Sequence, residues 1–137
     1  MAGIIFKDID IDFGGTDLSG FGRGLTMVEG ATMHESQAYG DDWEWFTTGL
    51  RKGAVTIQFW QSFAVGETDA TIRAVLGTTA VIVIKPTSGA VSTANPSFTF
   101  TAGIENYERF AGNIGDKGIA SVDLVLAANT GIVVATA

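Results

Sequence analysis

The chain has 137 residues, 46% hydrophobic and 17% charged, with 18 Gly, 2 Pro, one His and no Cys. That length suits one domain spanning 1–137, able to bury roughly two thirds of its unfolded surface without a disulfide or metal. High apolar content with low charge excludes a disordered chain. The lack of Cys excludes disulfide frameworks, thiolate metal sites, iron–sulfur clusters and cysteine nucleophiles together. The longest apolar runs, Ala80–Ile84 and Leu124–Ala128, are five residues each, against the ~20 that a spanning helix requires. The opening Met-Ala-Gly-Ile-Ile-Phe-Lys-Asp lacks the basic start and long apolar stretch of a secretory signal, so none is expected.

The net charge is −7, and residues 1–69 hold eleven of the fifteen acids with four of the eight basic residues. All of the excess negative charge therefore lies in the first half. A nucleic-acid-gripping domain shows the reverse, a Lys/Arg stripe that displaces counterions from phosphates. The balance argues against tight or sequence-specific binding, and leaves open an acidic surface past which nucleic acid slides.

In chain order, the dominant period is two, that of a strand. Over Ile5–Phe13, Ile9, Ile11 and Phe13 alternate with Asp8, Asp10 and Asp12. These acids resemble the start of a calcium loop, but Phe13 stands where its glycine belongs and Ser19 where its bidentate Glu belongs. A solvated strand face explains them better. Gly20-Phe21-Gly22-Arg23-Gly24 lacks the third glycine of a dinucleotide motif, where Met27 stands, and no helix follows it.

Met33–Thr48 reads as a long extended loop carrying Tyr39, Trp43, Trp45 and Phe46 among Asp41, Asp42 and Glu44. Its aromatics either tuck into their own core or bury against a neighbouring subunit. His34, the only His, sits in this loop and has no nucleophile pattern around it. Next, Val55, Ile57, Phe59, Gln61 and Phe63 alternate with Thr56, Gln58, Trp60 and Ser62, which predicts a strand with one polar face. Ile72, Val75 and Leu76 have helical spacing, with Thr68 as N-cap and Gly77 after the last apolar residue. One short helix over about 68–77 follows.

Thr79–Lys85 is a β-branched run ended by Pro86 and reads as a strand buried on both faces. Pro86–Pro96 is small, polar and turn-rich. Ser97–Ile104 alternates again, and Asn106–Ile114 and Ile119–Ala127 flank the turn Gly115-Asp116-Lys117-Gly118. Gly112–Lys117 is not a phosphate loop, because Asp116 precedes the Lys and a strand follows. The fold class is all-β: a single-domain sandwich or barrel with one flanking helix. No catalytic constellation appears, so no enzyme, metal site or cofactor is expected.

The order of these features resembles the tail tube proteins (major tail proteins) of long-tailed bacteriophages, and more distantly the tube proteins of contractile injection machines. The matching pieces begin with a short acidic strand leading into Gly15-Thr16-Asp17-Leu18-Ser19-Gly20-Phe21. Tyr39-Gly40-Asp41-Asp42-Trp43 then lies in a long loop, followed by Thr48-Gly49-Leu50-Arg51-Lys52-Gly53 and a strand. A mid-chain helix, a late Gly115-Asp116 and the ending Thr130-Gly131 complete the match.

The resemblance implies a virion protein, assembled in the host cytoplasm, whose copies form rings of six by joining sheets edge to edge. The rings stack into a tube that conducts double-stranded DNA without sequence-specific binding. Its partners would be itself, the tape measure, the terminator and the baseplate or tip proteins, with no membrane insertion. Asp8, Asp10, Asp12, Thr56, Gln58 and Ser62 are the candidates for the lumen. Tyr39, Asp41, Asp42, Trp43, Trp45 and Phe46 are the candidates for contacts between rings or subunits. The alternatives are a single-ring phage component (terminator, connector or baseplate ring) and a small β-barrel binding module.

Overall fold

A computed structural model describes residues 3–137. Its strands are β1 (Asp10–Phe13), β2 (Thr16–Asp17), β3 (Gly22–Glu35), β4 (Phe46–Trp60), β5 (Thr79–Lys85), β6 (Ser97–Glu108), β7 (Ile119–Leu126) and β8 (Val133–Ala135). One helix, α1 (Thr68–Val75), joins β4 to β5, and a 3-10 turn at Ser19–Phe21 leads into β3. The strands form one antiparallel sheet in the order β2-β1-β5-β6-β7-β4-β3, with β8 pairing β6.

Alternation places one face of every long strand in a common core. Ile11 and Phe13 of β1, Ile82 and Ile84 of β5, Phe100 and Ala102 of β6, Val122 and Leu124 of β7, and Val55, Ile57 and Phe59 of β4 are all buried in it. A single sheet buries one face within itself only by curling, and this one does so. A Cβ at Gly22, where β3 starts, would meet Ile11 Cδ1 of β1 at 3.3 Å, so the two ends of the sheet approach each other. Leu18 fills the seam between them, and α1 lays Ile72 and Val75 on the core. The result is a partly open barrel with free edges at β2 and β3.

The helix starts where expected but ends at Val75, with Leu76 as an exposed C-cap rather than part of the apolar face, and its N-cap is not the expected one. Glu67 is the N-cap and makes no side-chain capping bond. Thr68 is fully buried instead and donates its hydroxyl to Trp60 O at 3.1 Å, which ties the helix start to the end of β4. Gly77 has φ +83°, the left-handed conformation that ends a helix at low cost only for glycine.

Strand β5 is buried on one face rather than both. Val81 is half exposed, because the sheet curls around one core and none of the described residues covers its outer side. The expected loop at 33–48 is shorter than the sequence suggested. Met33, His34 and Glu35 pair with Thr48, Thr47 and Phe46, so the irregular part is 36–45 and His34 is a strand residue. A bulge between Ala31 and Met33 interrupts the two-residue period there, hiding the strand from a pattern reading. A Cβ at Gly49 in this bulge would fall 2.6 Å from His34 Nε2 and 3.0 Å from Thr32 O, so a larger residue there requires the His34 ring to move.

Phe59 is fully buried at the centre of the core. Phe59→Ala is expected to cost about 3–5 kcal/mol, seen as a lower denaturation midpoint with an unchanged denaturant slope.

Candidate assembly surfaces

Strands β3 and β4 are paired from Gly22 and Phe59 to Glu35 and Phe46. The core ends at Val55, so the outer part of this hairpin, from the Val28–Ala54 pair onward, extends past it as an arm. At ~3.3 Å per residue the arm projects about 25 Å. A two-stranded hairpin is marginally stable in water on its own. This one carries exposed Val28, Met33, Phe46 and Leu50 along its length.

The tip is ordered by polar bonds rather than by packing. Ser36 N–H donates to Trp45 O at 3.0 Å, and the Ser36 and Thr47 hydroxyls bond across the strand ends. Asp41 accepts from Ala38 N–H at 2.8 Å and from the Trp45 indole N–H at 3.2 Å. These bonds, the one from Ala38 first, hold the Asp41 carboxyl below its ordinary 3.8. Asp41 is thus a bracket for the tip, while Asp42 and Glu44 are exposed beside it. Trp43 is 84% exposed, and Tyr39 is fully so. Of the two fates open to these aromatics, burial in the chain's own core is not the one adopted.

The six residues proposed for a lumen do not form one set. Thr56 and Gln58 share the outer face of β4, and Thr56 donates to Asp123 of β7 at 3.1 Å. Asp10 and Asp12 lie on β1, separated from β4 by β5, β6 and β7. Asp10 is partly buried, 3.3 Å from Lys85 Nζ and 2.9 Å from Ser19 Oγ, so its charge is already matched. Asp12 accepts from Gly15 N–H at 3.0 Å and shapes the β1–β2 turn. Asp8 precedes β1 and binds Ser88 Oγ at 2.7 Å, a bond that lowers its pKa. Ser62 lies beyond β4 and donates to the Glu67 carboxylate at the helix start. The three acids therefore serve turns and cross-links, not one solvated strand face.

The opposite end of the barrel from the tip, here called the base, holds groups that sequence reasoning missed. Asp69, in the first turn of α1, is buried and accepts from Tyr107 Oη at 2.8 Å and from Arg109 Nε at 2.9 Å. Gln61 Nε2 donates to Tyr107 Oη at 3.1 Å and to Arg109 O at 2.7 Å. Burial raises the Tyr107 pKa, and the bond to Asp69 raises that of Arg109. The network fixes the end of β6, and with it Phe110, whose ring centroid is 5.5 Å from that of Phe63. The only early signal for it was an acid in the first helical turn, which reads as a helix-dipole partner. Among the described residues no group of three His, Asp or Glu could hold a metal ion, and no helix is long and apolar enough to cross a membrane.

No protein-family model and no curated protein matches the chain. Solved structures do. A chain in the virion of a native gene transfer agent particle superposes with a TM-score of 0.75 at 13% identity, covering 97% of this chain and 99% of that one. A chain of the SPP1 tail tube gives 0.76 at 13% identity, covering 98% and 80%. The fold is that of a tail tube protein. A chain in the tail of an empty gene transfer agent particle, refined with C6 helical symmetry, gives 0.68 at 12% identity over 94% and 93%. The tail tube fold thus spans nearly the whole chain, at 12–13% sequence identity.

The tip bracket of this tail tube fold carries a pH prediction. Since the folded pKa of Asp41 is depressed, its contribution is present above the unfolded value and is lost as pH falls through the lower folded one. Indole emission from the tip is expected to stay constant down to about pH 4 and to change below it. In Asp41→Ala that acid transition disappears, and the neutral-pH spectrum already resembles the acid form.

Proposed function

We propose that this chain is a structural subunit of a phage-type tail, polymerising with copies of itself into a tube through which double-stranded DNA passes. One observation carries the reading: a tail tube fold whose surface is far larger than a lone monomer needs. The accessible area is 8937 Å², where a compact monomer of this mass exposes about 6,800 Å². The excess lies in the arm and in apolar residues such as Trp43, Leu50, Val65 and Phe110. Exposed apolar surface gathered at the arm and again at the opposite end of the barrel is what interaction sites present.

Ring formation joins the free edges at β3 and β2, which are unlike edges and so make a heterologous contact that closes by rotation. Six copies per ring is the number suggested by the C6 tail among the similar structures. Stacking of rings is assigned to the arm tip, with Tyr39, Trp43, Trp45 and Phe46 as its apolar part and Asp41, Asp42 and Glu44 as its acidic part. The role is mechanical rather than catalytic, and the other tail components are its further partners in the virion.

The lumen is assigned to the polar outer face of β4 and β7, with Thr56, Gln58 and Asp123. Asp8, Asp10, Asp12 and Ser62 are left to structural roles, because none lies on β4 or β7 and their polar partners are in turns, on β5 or at the helix start. A wall of hydroxyl, amide and carboxylate groups repels phosphates and offers DNA no specific stop.

Negative-stain microscopy of the purified protein tests the reading, with rings and tubes as the expected result and a monomer at every concentration as the opposing one. Trp43→Ala with Trp45→Ala is expected to leave rings and abolish tubes; unchanged tubes would reject the stacking role. In particles carrying Thr56→Lys, Gln58→Lys and Asp123→Lys, DNA ejection is expected to slow or stall, and unaltered kinetics would reject this lumen face.

A further inference from the structure

The two ends of the β3–β4 hairpin differ in chemistry as sharply as in position. At its tip, Glu35, Asp41, Asp42 and Glu44 surround Tyr39, Trp43 and Trp45, with His34 the only basic-type side chain nearby. At its base, Trp60 lies beneath two cations. The Arg23 guanidinium is 4.7 Å from its ring centroid, and Lys117 Nζ is 4.6 Å from it.

Cation–π attraction holds each cation to the ring, but the two repel one another. Neither has a carboxylate within ion-pairing distance among the described residues, although Glu108 and Asp116 lie in the same region. Arg109, by contrast, is matched by Asp69. Beside this cationic site sits an apolar one: Phe63 and Phe110 are 56% and 79% exposed, with Val65 and Ile114 fully exposed. The network of Asp69, Tyr107 and Gln61 positions Phe110 from behind, so the patch is held in place rather than loose.

We propose that the base, comprising Arg23, Trp60, Lys117, Phe63 and Phe110, is the seat for the arm tip of a second copy of this chain. Tip and base match in two respects. Each joins aromatic surface to an unmatched charge, and the charges are opposite. Asp42 and Glu44 bring carboxylates to two cations that lack them, while Trp43 and Tyr39 cover the Phe63–Phe110 pair. Asp41 is not available for this, since it is held by the tip's own bonds. Opposite fields also steer the encounter, so assembly is fastest at low salt and slows as ionic strength rises.

The inference rests on the proposed tube by naming the surface that receives the arm, and its test separates the two. The chain has no Cys, so Ala38→Cys at the tip and Ala64→Cys beside Phe63, both exposed and outside the residues assigned to the contact, can be made in separate copies and mixed under oxidising conditions. The expected result is a disulfide-linked heterodimer together with tubes, and loss of both when the base copy also carries Arg23→Glu and Lys117→Glu. Restoration of both when that copy meets one carrying Asp42→Lys and Glu44→Lys would support the charge match; unchanged thermal melting of every variant confirms folding. Tubes without the cross-link would overturn the tip-to-base contact and leave the tube reading standing. The cross-link without tubes would support the contact and overturn the tube reading, and the absence of both would overturn the two together.

Discussion

The curl of a single sheet around one core governs the rest of the molecule. A sheet that buries only its inner face leaves its outer face and its two edges to water or to another chain. Here the edges are β3 and β2, and β3 is 14 residues long. The longest hairpin also outruns the core by about eight residues per strand at ~3.3 Å each, and only its root, at Gly53 and Ala54, meets another part of the chain, Val125, Leu126 and Ile132. Burial of Phe13, Ile57, Phe59 and Phe100 stabilises the barrel. Nothing comparable stabilises the arm, whose order comes from strand pairing and from the tip's polar bonds.

Much of this architecture is legible in the residues. The alternation of Val55, Ile57 and Phe59 with Thr56 and Gln58 places β4 and its core face correctly, because both rest on the two-residue period alone. The helix is found for the same kind of reason, since Ile72 and Val75 lie on one helical face above the core. The ends of β3 and β4 are hidden for an equally physical reason. With no core beneath them, their residues follow no alternation, and Trp43, Trp45 and Phe46 crowd together as in a loop. Thr68 misleads in a different way: its hydroxyl suits an N-cap, but a neighbouring carbonyl, Trp60 O, takes it.

The candidate site was less legible than the fold. A row of alternating acids at Asp8, Asp10 and Asp12 reads as one solvated strand face only while their partners are invisible. Ser88, Lys85 and Gly15 are brought to them by sheet pairing and turns. The base shows the converse. Arg23, Trp60 and Lys117 are far apart in sequence and unremarked singly, yet the registers of β3 with β4 and of β4 with β7 bring them to one place. Charge in a sequence therefore counts residues, whereas charge at a surface counts those left without partners after pairing.

The unlike ends of the β3–β4 hairpin have a consequence for size. A contact between two different surfaces leaves one of each free on every growing assembly, however many copies have joined. A polymer built on the proposed tip-to-base contact has a direction, and its two termini are chemically distinct, one presenting acidic aromatic tips and the other cationic bases. It also has no built-in stopping point, since the last copy added is as receptive as the first. Any fixed length must then come from a separate gauge or cap that recognises one terminus and not the other.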